Sequence, residues 1–140
     1  RVASFAEKIG RAERADLAVV LCAAYLHDIG IKNAEKKHHS SAAKYQEKEG
    51  PPVARKILED LGAQEPLIEQ VCDIVAHHHH PGEKETKEFK CLFDADMLVN
   101  MLDCQGKNDL EPDEFKAKLS RIFLTDPGRR IAEQELMQKE

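Results

Sequence analysis

The sequence contains no tryptophan, only two tyrosines and five phenylalanines in 140 residues, and no run of alternating Val, Ile and Thr long enough for a strand. Both shortages argue against a sheet protein. An excess of positive charge is also missing: 26 acidic residues outnumber 21 Lys and Arg, leaving a net charge of −5. Non-specific binding to a nucleic-acid backbone is therefore not expected. A small anionic substrate remains compatible, because a local cation can overrule the global field. Paired cysteines are lacking, since Cys22, Cys72, Cys91 and Cys104 lie far apart and none belongs to a Cys-x-x-Cys motif. They read as buried, reduced thiols, which favours a cytoplasmic home. No signal peptide is apparent, and the longest apolar run, Leu17 to Leu26, is shorter than the roughly 20 residues a membrane span needs. No membrane partner is expected. Glycine-rich phosphate loops are absent, and Ser40, Ser41 and Ser120 have no triad-like neighbourhood. Asp103 to Glu114 has the length of a calcium loop, but Lys107 and Asn108 occupy positions of an oxygen ligand and the turn glycine, so a helix cap is predicted there.

What is present is 41% hydrophobic and 34% charged residue content, spaced at three and four positions nearly throughout. The expectation is an all-α bundle of seven to eight helices forming one domain over residues 1–140. Because the first residue is Arg1, N-terminal residues are expected to be missing. Helices are predicted over Val2–Ala12, Asp16–Asp28, His38–Lys48, Pro52–Leu61, Glu65–His79, Thr86–Asp103, Glu111–Phe123 and Asp126–Lys139. The second is apolar almost all round and should be the central one, ended by Gly30. Pro52 and Gly62 punctuate the fourth, and Gly106 follows the sixth. Pro81 to Lys87 reads as a surface loop.

Chemistry concentrates in four places. In Tyr25-Leu26-His27-Asp28-Ile29-Gly30 an apolar helix finishes with an imidazole beside a carboxylate. Burying both calls for a partner, and a divalent cation supplies one for both, as a simple helix cap would for each separately. In Phe93-Asp94-Ala95-Asp96-Met97-Leu98, Asp96 falls beside the apolar side while Asp94 points about 200° away and is predicted to be solvated. Asn100, one turn on, either orients Asp96 or bonds to backbone. In His77-His78-His79-His80 the inward face set by Val71, Ile74 and Val75 continues to His78, with His77 on its flank. His79 and His80 are expected to fray, and surface placement of all four is the competing reading. His38 and His39 are near enough to fold over the His27–Asp28 turn, or begin a solvated helix.

These residues together resemble the HD superfamily of metal-dependent phosphohydrolases. The resemblance rests on Leu26-His27-Asp28-Ile29-Gly30, the Ala54-to-Gly62 segment, Ile74-Val75-Ala76-His77-His78 and Asp94-Ala95-Asp96-Met97-Leu98, and it spans most of the chain. It implies an all-α fold and a divalent metal (Mn, Fe, Co, Ni, Mg or Zn) on His27, Asp28 and Asp96. The family's first ligand His lies one helix earlier, and no His precedes His27. Two-metal members carry another His where this chain has Tyr45 and Gln46 ahead of Gly50. The activity implied is hydrolysis of a phosphoester in a nucleotide or other small phosphorylated metabolite. Asp28 would take a proton from water, His78 or His77 would serve the leaving group, and Lys32, His38 and His39 would contact substrate. A helical module that binds ligand or partner without turnover is the alternative.

Overall fold

The computed structural model describes residues 1–82, 85–104 and 110–137, and among them eight helices and no strand. They are α1 (Val2–Glu13), α2 (Leu17–Leu26), α3 (Ile31–His38), α4 (Ala43–Asp60), α5 (Glu65–His77), α6 (Lys87–Asp103), α7 (Pro112–Ile122) and α8 (Asp126–Leu136). The expected class is what forms. Gly106, Lys107, Asn108, Lys139 and part of the Pro81–Lys87 loop lie outside the described residues.

α2 packs against α1, α5 and α6, which is why it is apolar on every side: Val19, Val20 and Ala23 have no exposed surface. Asp16 sets its start, with a side chain accepting from the Ala18 N–H at 3.1 Å and a backbone N–H donating to Glu88 of α6 at 2.8 Å. Leu17–His38, with only the turn at 27–30 interrupting it, is long and apolar enough to cross a membrane by length and composition. Its buried face in the core gives that hydropathy a packing explanation.

The chain departs from expectation around this turn. The second helix ends at Leu26, and a further helix, α3, occupies residues predicted as linker. Conversely, the helices predicted at His38–Lys48 and Pro52–Leu61 are one continuous element, α4, running through Pro51 and Pro52. Proline inside a helix normally costs about 3 kcal/mol, so packing against both α3 and α5 offsets it here. Gly30 has an ordinary right-handed backbone, φ −83°, so helix termination does not explain it. Its role is contact: a Cβ there would lie 2.6 Å from both the Gln46 carbonyl oxygen and the Gly50 nitrogen. α4 thus crosses backbone-to-backbone over the His27–Asp28 turn.

A second apolar cluster joins α6 to α7 and α8 through Leu98, Phe115, Leu119, Phe123 and Ala132. It corrects the placement of Asp94, which was predicted to be solvated but has no exposed surface. Its carboxylate accepts from the Leu124 N–H at 2.9 Å, the Thr125 N–H at 2.8 Å and the Thr125 hydroxyl at 2.6 Å. Thr125 in turn caps α8 by accepting from the Gly128 N–H. Because α8 covers the far side of α6, both sides of that helix are interior.

Burial pushes the Asp94 carboxyl up to about 6, against the pull of its three donors. The folded state therefore holds this proton more tightly than the unfolded chain does, and stability from this group falls as pH rises between about 4 and 6. Relative to Asp94→Asn, the wild type is expected to lose about 3 kcal/mol across that window. Urea denaturation at pH 4, 5 and 6.5 checks this, and a constant gap between the two proteins would contradict it.

Candidate metal centre

The end of α2 delivers His27 with 6% exposure. Its Nδ1–H donates to the Ala24 carbonyl at 2.8 Å, so Nε2, which carries the lone pair whenever the ring is neutral, points away from its own helix. There Nε2 lies 3.2 Å from Asp28 Oδ2 and 3.5 Å from Asp96 Oδ1. The end of α5 presents His78 in the same way. Its Nδ1–H donates to the Val75 carbonyl at 3.1 Å, and Nε2 sits 3.6 Å from Asp28 Oδ1. The two rings meet edge to face with centroids 5.2 Å apart. Asp28 thereby stands between two imidazoles, each held by its rear nitrogen.

Neither Nε2 has a hydrogen-bond partner, although both are buried. Such a nitrogen costs about 1–3 kcal/mol when left unsatisfied. Rear nitrogens tied to backbone carbonyls, with front lone pairs converging on carboxylates, is the arrangement metal-ligating histidines show. Asp28, His78 and His79 offer ligand atoms within 4.8 Å of one another. His27 falls outside that tightest trio but lies 3.2 Å from Asp28, and Asp96 joins it through His27 at 3.5 Å, so the candidate donor set is better described as five residues than three.

The electrostatics agree. Burial disfavours protonating His27, but Asp28 and Asp96 outweigh it and push the imidazole up to about 10. His27 and His78 hold the Asp28 carboxyl far below the usual carboxylate range, against the opposing effect of burial. Without a metal, a proton on His27 is what neutralises the acidic pair. Burial and the neighbouring His78 keep His79 below its ordinary value, so it stays neutral and able to donate a lone pair.

Other residues singled out from sequence go elsewhere. His77 turns from the cluster, bonding Glu85 at 3.0 Å and stacking on Phe89. His38 bonds buried Glu49 at 3.0 Å and stacks on Tyr45, with centroids 4.2 Å apart. His39 is the exposed left-handed cap of α3, φ 55°. Lys32 is exposed on the first turn of α3. Asn100 is exposed, and its carbonyl accepts from Cys104 N–H.

Sequence pattern alone misses His79, which it expects to fray. The residue is half-buried, its ring lies against His78 with centroids 3.9 Å apart, and its backbone N–H donates to Glu47 of α4 at 2.9 Å. His80, also expected to fray, is exposed yet bonds Glu47 at 2.8 Å. The one usable signal is the turn itself: once a helix unwinds, consecutive residues no longer diverge by 100°.

An all-helical protein with a buried imidazole–carboxylate centre is the class that this fold and this site define. The family model for the HD domain matches residues 1–101, and the chain belongs to that family, whose members bind divalent metals. α7 and α8 lie beyond the matched part. No curated protein and no solved structure gives a significant match.

Proposed function

We propose that this protein is a metal-dependent phosphohydrolase that cleaves a phosphoester of a nucleotide or other small phosphorylated metabolite. The observation that carries the reading is the pair of buried Nε2 atoms on His27 and His78, unpartnered and aimed at Asp28. His27, Asp28, His78 and Asp96 would hold the cation, with His79 in reach. Imidazole-rich ligation with two carboxylates suits Mn, Fe, Co, Ni or Zn better than Mg. When bound, the metal supplies Lewis acidity toward a phosphoryl oxygen and lowers the pKa of water.

The chain's own residues supply the rest. Asp28 is the ligand most open to solvent, its side chain 51% exposed against 20% for Asp96, so it meets the attacking water and takes its proton. His78 Nε2 is buried, unpartnered and 3.6 Å from Asp28 Oδ1, which favours a place among the metal ligands over the role of donor to a leaving group. Lys32, exposed four residues beyond Asp28, is the nearby cation in sequence that would attract phosphate charge. The net charge of −5 favours a small phosphorylated substrate over a nucleic acid.

The test is release of inorganic phosphate from p-nitrophenyl phosphate and nucleoside monophosphates with each of Mn, Co, Ni and Zn. Activity abolished by Asp96→Ala supports the reading. Metal binding with no turnover on any phosphoester would replace it with the binding module, and full activity in the variant would end it.

Metal binding must expel the His27 proton. Below the His27 pKa of about 10, affinity is therefore expected to rise by about tenfold per pH unit. Zinc competition titrations at pH 6, 7 and 8 read this slope, and a flat profile would show that His27 is not displaced.

A further inference from the structure

We infer that Gln46 is a positioning residue that fixes His79 as its Nε2–H tautomer, leaving the Nδ1 lone pair as the ligand His79 offers to a divalent cation beside Asp28 and His78. The inference deepens the proposed metal site and rests on it.

Gln46 stands on the second turn of α4, half-buried, and its side-chain nitrogen donates to the Ser41 carbonyl. Its Oε1 lies 3.2 Å from His79 Nε2. Amide ends are ordinarily interchangeable by a flip. Here the flip is blocked, because it would set Oε1 against the Ser41 carbonyl, acceptor against acceptor. With the amide nitrogen committed to Ser41, Oε1 faces His79 and can only accept. His79 Nε2 must then carry the hydrogen.

A neutral imidazole has one N–H, so Nδ1 holds the lone pair. No described residue bonds it. The polarity is opposite to that of His27 and His78, whose Nδ1–H groups face backbone carbonyls and whose Nε2 atoms are free. The reversal follows from position. His27 and His78 follow helices whose last-turn carbonyls lie behind their rings, whereas His79 is one residue further into the turn and faces α4. Glu47, next to Gln46, holds both the His79 N–H and the His80 ring at 2.9 and 2.8 Å, so the turn is gripped before any metal arrives.

The experiment is a long-range proton–nitrogen correlation spectrum of the histidine rings at pH 8, without metal and during zinc titration, for wild type, Gln46→Ala and Gln46→Glu. Wild-type His79 is expected as the Nε2–H tautomer, with the Nδ1 resonance moving on zinc binding. Gln46→Ala is expected to lose that tautomer preference and to weaken zinc about tenfold or more, with an unchanged melting temperature. Gln46→Glu keeps an oxygen for His79 Nε2 but sets its second oxygen against the Ser41 carbonyl, so it is expected to retain the Nε2–H tautomer at a lowered melting temperature. A wild-type His79 in the Nδ1–H form would overturn the inference, as would a Gln46→Ala protein with unaltered tautomer and affinity. The tautomer is read without metal, so failure of zinc to bind wild type would sink the metal site itself and is distinguishable from a wrong assignment for Gln46.

Discussion

Gly30→Ala is expected to destabilise the protein by about 3 kcal/mol or more, the upper end of what overpacking costs. The sign is not obvious in advance. At φ −83° alanine is locally favourable, and replacing glycine at a compatible position usually stabilises by about 0.4–1 kcal/mol. The added methyl, however, would meet the Gln46 oxygen and Gly50 nitrogen at 2.6 Å and the Gly50 Cα at 2.8 Å. All three are backbone atoms, so no rotamer change relieves the clash and α4 itself must move. Gly62 is the control. It has φ +81°, and a methyl added there would meet nothing within 4 Å, so Gly62→Ala should cost only the left-handed penalty of about 1–2 kcal/mol. Urea midpoints of the two variants decide it, and a Gly30→Ala protein as stable as wild type would remove close helix crossing from the account.

His27→Gln is expected to lower metal affinity by more than about 100-fold, beyond the loss typical of residues that merely orient a ligand. Hydrolysis should fall by about a thousand-fold or more, equivalent to about 4 kcal/mol of barrier. Two effects combine. The variant removes one of the two sealed nitrogens, and it deprives Asp28 and Asp96 of the group 3.2 and 3.5 Å away that balances their charge. Glutamine keeps much of the buried volume, so the loss is separable from unfolding by a melting curve. Calorimetric titration with manganese or zinc gives the affinity. Wild-type affinity in a folded His27→Gln protein would show that the cation sits elsewhere.

Helix periodicity and helix ends pick out most of the candidate site. The apolar α2 ending in His27 and Asp28, the inward register of α5 reaching His78, and Asp96 beside the apolar side of α6 are all legible, and the structure brings these four together. Asp94 fails for a physical reason: the rule assumes a wet opposite side, and α8 covers it. The α4 boundary fails because Pro51 and Pro52 signal a break locally, while contacts on both flanks keep the helix continuous. His79 fails because periodicity stops at the helix end, where the turn takes over. Gln46 and Glu47 are invisible to local pattern, since their partners are 33 or 32 residues away. Candidate ligands at helix positions are thus readable from spacing, and tertiary contact supplies the residues that hold them.

The most direct measurement is anomalous X-ray scattering at the metal edge from crystals of the protein grown with zinc or manganese. A single strong peak is expected within about 2.0–2.2 Å of His27 Nε2, His78 Nε2 and carboxylate oxygens of Asp28 and Asp96. No peak there, or a peak held by other residues while His27 and His78 keep Nε2 unbound, would contradict the account.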